Sequence, residues 1–108
     1  MPIRIKFEDL EWEDPPRGYY LSDVKQKTLW VDEKTGATLA LMKFPPGQVD
    51  RIHTHPEANQ IVHPLTGPHA GKMVGITVKG EPHGGAEVEE ETILLFYWDG
   101  HPDPEVIE

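Results

Sequence analysis

The stretch Gly47 to Gly67, GQVDRIHTHPEANQIVHPLTG, decides how the rest of this chain is read. His53 and His55 are separated by one residue, so on an extended strand both imidazoles project to the same face. That is a spacing suited to chelating a metal ion. Pro56 and the polar run Glu57 to Asn59 then predict a turn. Gln60, a second polar ligand candidate, opens the apolar run Ile61-Val62. A hairpin about that turn returns Gln60 towards the two histidines, with Gly47 and Gly67 punctuating its ends.

Outward from this stretch the chain reads as short strands and turns. Leu29 to Val31 and Ala37 to Phe44 flank the turn-forming pentamer Asp32 to Gly36, which predicts a β-hairpin, and Pro45-Pro46-Gly47 ends its second strand. Ser22 to Thr28 is polar and open to three readings: a loop, a short turn of helix or an edge strand. Pro68 to Gly71 predicts a further turn, and Lys72 to Val78 a strand interrupted by Gly75. Gly80 to Gly85 is a loop holding an isolated histidine, His83, and Glu87 to Glu91 is an acidic, solvated turn. Thr92 to Trp98 is the strongest strand pattern in the chain, its near-continuous apolar run predicting burial on both faces. At the N-terminus Pro2 to Phe7 alternates apolar and charged residues as a half-buried or edge strand does. Tyr19, Tyr20 and Leu21 are expected to pack locally, and the proline-rich tail from His101 to Glu108 to be loose unless it pairs with a neighbour.

A length of 108 residues gives one domain with a single modest core. Its expected parts are an N-terminal strand and arm over 1–28, a barrel over 29–100 and a tail over 101–108. With 11 prolines, 10 glycines and short apolar segments, strands and turns are favoured over long helices. The net charge of −9, without a local basic patch, disfavours nucleic acid and anionic membranes as partners. The absence of cysteine excludes disulfides, thiolate nucleophiles and cysteine-ligated zinc. No apolar run approaches the ~20 residues a membrane helix needs, and the charged start is unlike a leader, so the expected location is the cytoplasm.

The glycine-to-glycine spacing resembles the first motif of the cupin superfamily: a glycine, five residues, His-x-His, three or four residues, a glutamate, six residues and a glycine. Gly47, His53, His55 and Gly67 fall on that pattern, and Gln60 stands where most cupins carry glutamate. A second cupin motif is kept in part. Gly80 and His83 hold its Gly-x-x-His spacing, while Val78 replaces a proline, Glu87 replaces an asparagine and Gly71 sits one residue early. The segment between the motifs is shorter than is usual in cupins, which implies a trimmed strand pair and a more open barrel mouth. The resemblance spans roughly 29–100 and implies an all-β fold, a small antiparallel β-barrel or jelly-roll sandwich. It also implies a metal held by His53, His55 and His83, with Gln60 as fourth ligand or close beside it.

Such a donor set suits Fe, Mn, Zn, Ni or Cu without choosing among them. A neutral amide in place of glutamate leaves the ion more electrophilic. The resemblance therefore implies a metal-dependent enzyme acting on a small oxygen-bearing organic molecule, either a dioxygenase or a Lewis-acid lyase or isomerase. No catalytic side chain is assigned. The other reading is a non-catalytic metal or ligand sensor. Small cupins commonly dimerise, and the alternating strand Pro2 to Phe7 is the expected contact with a second subunit. His63, three residues after Gln60, points to the opposite face. His69 sits in a turn near the mouth, and His101 lies in the tail. Glu57 and Asp50 are the nearest carboxylates, while Trp30, Trp98, Tyr97, Phe96 and Phe44 read as core or subunit contact.

Overall fold

In the computed structural model, which describes residues 2–16, 23–84 and 87–107, the pentamer Asp32 to Gly36 folds as the predicted turn. The Asp32 N–H donates to the Ala37 carbonyl and the Gly36 N–H to the Asp32 carbonyl, each at 2.8 Å. This turn joins β1 (Lys25–Val31) to β2 (Thr38–Phe44), paired antiparallel with one register shift between Thr28 and Trp30. β1 begins four residues before Leu29, so the polar segment adopts the edge-strand reading. Its polar groups are satisfied: Gln26 Nε2 donates to Thr28 Oγ1, and Lys27 Nζ donates to the Phe7 carbonyl at 2.8 Å.

The apolar run near the C-terminus is the hub of the larger sheet. Between β2 and β6 lie β3 (His53–Thr54), β4 (Gln60–Pro64) and β5 (Gly75–Thr77), while β6 (Thr92–Trp98) is followed by β7 (Glu105–Val106). β6 pairs along its whole length with β2 on one side and with β4 on the other, giving a five-stranded antiparallel sheet in the order β1-β2-β6-β4-β5. β3 and β7 form a second, two-stranded sheet. The fold is all-β, of antiparallel sheets.

The predicted hairpin around Pro56 is not formed. β3 pairs with β7, and β4 pairs with β5 and β6, so the two arms of the stretch belong to different sheets. Proline lacks an N–H for a ladder, and the turn after it carries the chain from one sheet to the other around the buried Ala58.

Alternation along β2, β4 and β6 sorts their side chains. Ala40, Met42, Phe96 and Trp98 point inward and join Val24 and Ala58 in the core, with Phe44, Val62 and Leu94 packed against them. Phe96 and Trp98 stack at 5.2 Å between centroids. The outward residues of β6 are only partly buried, so its apolar run does not mark burial on both faces. One of them, Tyr97, belongs to a row crossing the outer face, Trp30, Leu39, Tyr97, Ile61 and Ile76, in which each residue is register partner of the next. Elsewhere that face is covered by the Trp12 ring, which Lys27 and Lys43 approach with their ammonium groups at 4.7 and 4.6 Å.

Residues 2–6 are exposed and take no place in a ladder among the described residues; a single 3-10 turn over Phe7–Asp9 follows. The strand expected over Pro2 to Phe7 is therefore not formed among the described residues. Tyr19, Tyr20 and Leu21 lie outside the described residues. Among the described residues no helix is long and apolar enough to cross a membrane.

Candidate metal centre

Three backbone connections bring three histidines together. His53 pairs with Val106 on one side of β3, and on the other it exchanges two hydrogen bonds with His83, N–H to carbonyl in each direction at 2.9 Å. The loop carrying His83 is thereby fixed beside the strand carrying His53. His55 lies two residues on, and its carbonyl accepts the Gly80 N–H at 3.1 Å. Gly84 makes this docking sterically feasible. Its φ is +118°, and a Cβ there would stand 2.6 Å from the Arg51 carbonyl oxygen, so a side chain at this position would push the loop away.

The three rings converge. Their centroids lie 4.3 Å (His53 to His83), 5.0 Å (His53 to His55) and 5.1 Å (His55 to His83) apart, and one nitrogen from each ring lies within 4.8 Å of the others. His53 and His55 are 1% and 2% exposed, and the Nε2 atoms of all three are buried. Their outward nitrogens are anchored on backbone. His53 Nδ1 bonds the Arg51 carbonyl, and His55 Nδ1 bonds the Pro102 carbonyl at 2.7 Å. A carbonyl only accepts, so each Nδ1 carries the proton and Nε2 is the basic nitrogen. Backbone anchoring of this kind orients ligating imidazoles.

His83 Nε2 is buried and makes no hydrogen bond to a described residue. Burial, and secondarily the neighbouring His53, holds the His83 ring well below its ordinary 6.5, at about 4, so it is neutral at pH 7 with a lone pair to give. Three neutral imidazoles with inward Nε2 atoms fit a borderline divalent ion. The group can hold a metal.

Gln60 opens β4 on the inner face as the cross-strand partner of Trp98. The Trp98 indole N–H donates to Gln60 Oε1 at 2.9 Å in a buried bond, and the Trp98 ring lies 6.0 Å from that of His55. Gln60 reaches the cavity that His53 and His83 line, coming from the opposite sheet. That cavity, of about 1480 Å³, has apolar walls from Phe44, Val62, Leu94 and Phe96. Asp50, Glu87, Glu89 and Glu90 also line it, and among the described residues no lysine or arginine does.

The remaining candidates separate clearly. His63 is on the outer face with Nδ1 bonded to the Met73 carbonyl at 3.0 Å, away from the triad as its parity predicts. His69 is exposed but lines the cavity. His101 packs its ring against Gly36, and Glu57 is exposed. Asp50 Oδ2 comes within 3.9 Å of His53 Nδ1. Three features escape a reading of the sequence. Pro102 contributes a carbonyl, which any residue possesses; Trp98, core as expected, also bonds Gln60; and the acidic turn, exposed as expected, also lines the cavity at Glu87, Glu89 and Glu90. The tail is not loose, since β7 pairs with β3 and Pro102 is buried.

No family model and no curated protein matches the sequence. Solved structures match its shape. A structure described as a putative acetylacetone dioxygenase from Methylibium petroleiphilum shares 13% identity over 100% of this chain and 82% of its own, with a TM-score of 0.76. The polyketide cyclase RemF from Streptomyces resistomycificus shares 17% over 100% and 87%, with a TM-score of 0.73. An RmlC-like cupin protein from Ralstonia eutropha shares 24% over 88% and 66%, with a TM-score of 0.72. At these identities the likeness concerns the fold alone, and the two antiparallel sheets with the inward histidine triad have the architecture of a small cupin-type fold.

Proposed function

We propose that this protein holds one divalent transition metal ion through His53, His55 and His83 and acts as a metal-dependent enzyme on a small oxygen-bearing organic molecule. The observation that carries the reading is the convergence of three buried Nε2 atoms beside a large, mostly apolar cavity. When bound, such an ion supplies Lewis-acid polarisation of an oxygen or, for iron, access to oxygen chemistry. The chain's own residues do the rest. The Arg51 and Pro102 carbonyls aim the imidazoles of His53 and His55, Phe44, Val62, Leu94 and Phe96 give the cavity an apolar wall, and Gln60 and Asp50 offer polar contacts from two sides. Dioxygenase and lyase or isomerase chemistry both fit this arrangement.

Metal content is measured first, on protein purified without chelators, against His53→Ala and His83→Ala. About one ion per chain in the native protein, lost in both variants, is the expected result. Oxygen consumption and product formation are then followed on β-dicarbonyls, flavonols and cyanohydrins. A metal-loaded protein inert on the whole panel favours a binding or sensing role over catalysis.

The reading includes a homodimer. Its supports are the exposed apolar side chains of the arm, Ile3, Ile5 and Phe7, and the outer row with Trp30, Ile61 and Ile76 exposed. Light scattering on the native chain and on Ile76→Asp tests it: a dimer that becomes a monomer in the variant is expected.

A further inference from the structure

Gln60 replaces the glutamate of the resembled motif, and its surroundings determine which end of the amide is committed. An indole N–H can only donate, so the Gln60 atom 2.9 Å from it is the oxygen. Turning the amide over would set two buried donors against each other, at a cost of about 1–3 kcal/mol for each unmatched group. Trp98 does not yield easily, being 4% exposed and stacked on Phe96. The other end of the amide is different. Nε2 makes no hydrogen bond to a described residue and keeps some access to solvent, while Gln60 itself lines the cavity. The oxygen keeps a second lone pair, but the end of the amide left without a protein partner is the NH₂ group, which has N–H bonds to donate and no lone pair suited to a metal.

We infer that Gln60 is a hydrogen-bond donor to an oxygen of the small molecule held at the histidine triad, and not a fourth metal ligand; this rests on the metal-binding reading above. The ligand class follows from the same wall. A donor amide favours an oxygen that gathers negative charge on binding, such as an enolate, alkoxide or hydroxamate oxygen, where a glutamate would repel it. The carboxylates Asp50, Glu87, Glu89 and Glu90, with no lysine or arginine among the described cavity residues, disfavour molecules that arrive already anionic. The substrate is thus uncharged in solution and offers an oxygen that becomes an acceptor once bound.

Cobalt(II) alone and acetohydroxamate are the probes, because the visible spectrum of cobalt reports its ligands. In Gln60→Ala the expected result is cobalt affinity within about threefold of native and an unchanged spectrum, with acetohydroxamate bound about tenfold more weakly through loss of one hydrogen bond to a charged oxygen. Gln60→Glu is expected to alter the cobalt spectrum and to weaken acetohydroxamate further. A Gln60→Ala protein that loses tenfold or more in cobalt affinity with a shifted spectrum makes Gln60 a ligand and overturns the inference, as does unchanged acetohydroxamate binding. Native protein that takes up no cobalt overturns the metal reading itself, a distinct failure seen before any variant is made.

Discussion

At the scale of single residues, His83 couples protonation to folding. Its ring is held at about 4 against 6.5 when unfolded, by burial first and His53 second. Between these values the unfolded chain binds a proton that the folded chain does not, so stability is complete above pH 6.5 and falls as pH drops towards 4. Allowing for the ring's partial access to solvent, the loss is about 1–2 kcal/mol. Thermal melts of metal-free protein across this range are expected to show it, and His83→Asn to flatten the curve. Gly84 is the second sensitive residue. Alanine there meets the Arg51 carbonyl in a backbone conformation alanine resists, and about 2 kcal/mol of destabilisation is expected. Urea titration measures that loss. A Gly84→Ala protein as stable as native would mean that the loop moves freely and does not fix His83.

At the scale of elements, β7 lends the site a part of its frame. Ending the chain at Gly100 removes both the ladder to β3 and the carbonyl that holds His55. Loss of such an orienting partner typically costs 10–100-fold in metal affinity, and competition with a chromophoric chelator is expected to show a weakening of about that size. This strand also marks the limit of what the sequence discloses. The β1–β2 hairpin and β6 were legible because turn chemistry and apolar runs are local signals, and the His-x-His pair because strand parity is local too. A two-residue strand among prolines carries no such signal; its partner, not its composition, makes it a strand. The assignment of β3 and β4 to different sheets was hidden for the same reason, since a turn after proline looks alike whether it closes a hairpin or crosses a sandwich. Gln60 was legible as a polar residue near the histidines, while the commitment of its oxygen required the register that sets Trp98 opposite.

At the scale of the whole molecule, the net charge of −9 is not spread evenly around the cavity, where Asp50, Glu87, Glu89 and Glu90 stand without a lysine or arginine among the described lining residues. Their field selects ligands by charge before any contact is made. Replacing Glu87, Glu89 and Glu90 together by glutamine is expected to strengthen binding of a carboxylate such as oxalate to the metal-loaded protein severalfold at low salt. The gain should shrink as ionic strength rises, because exposed charges are screened over about 10 Å at 0.1 M. Isothermal titration at two salt concentrations distinguishes this from a steric effect, which salt would leave unchanged. Finally, the imidazoles of His53 and His55 are steered by carbonyl groups of Arg51 and Pro102, atoms that no side-chain replacement removes. A saturation mutagenesis map of this protein will therefore report on side-chain packing at two positions and miss the carbonyl groups on which the alignment of the triad depends. Tolerance to substitution there measures the indifference of the peptide unit to its side chain, and only backbone editing, such as an ester in place of the amide, will reveal the dependence.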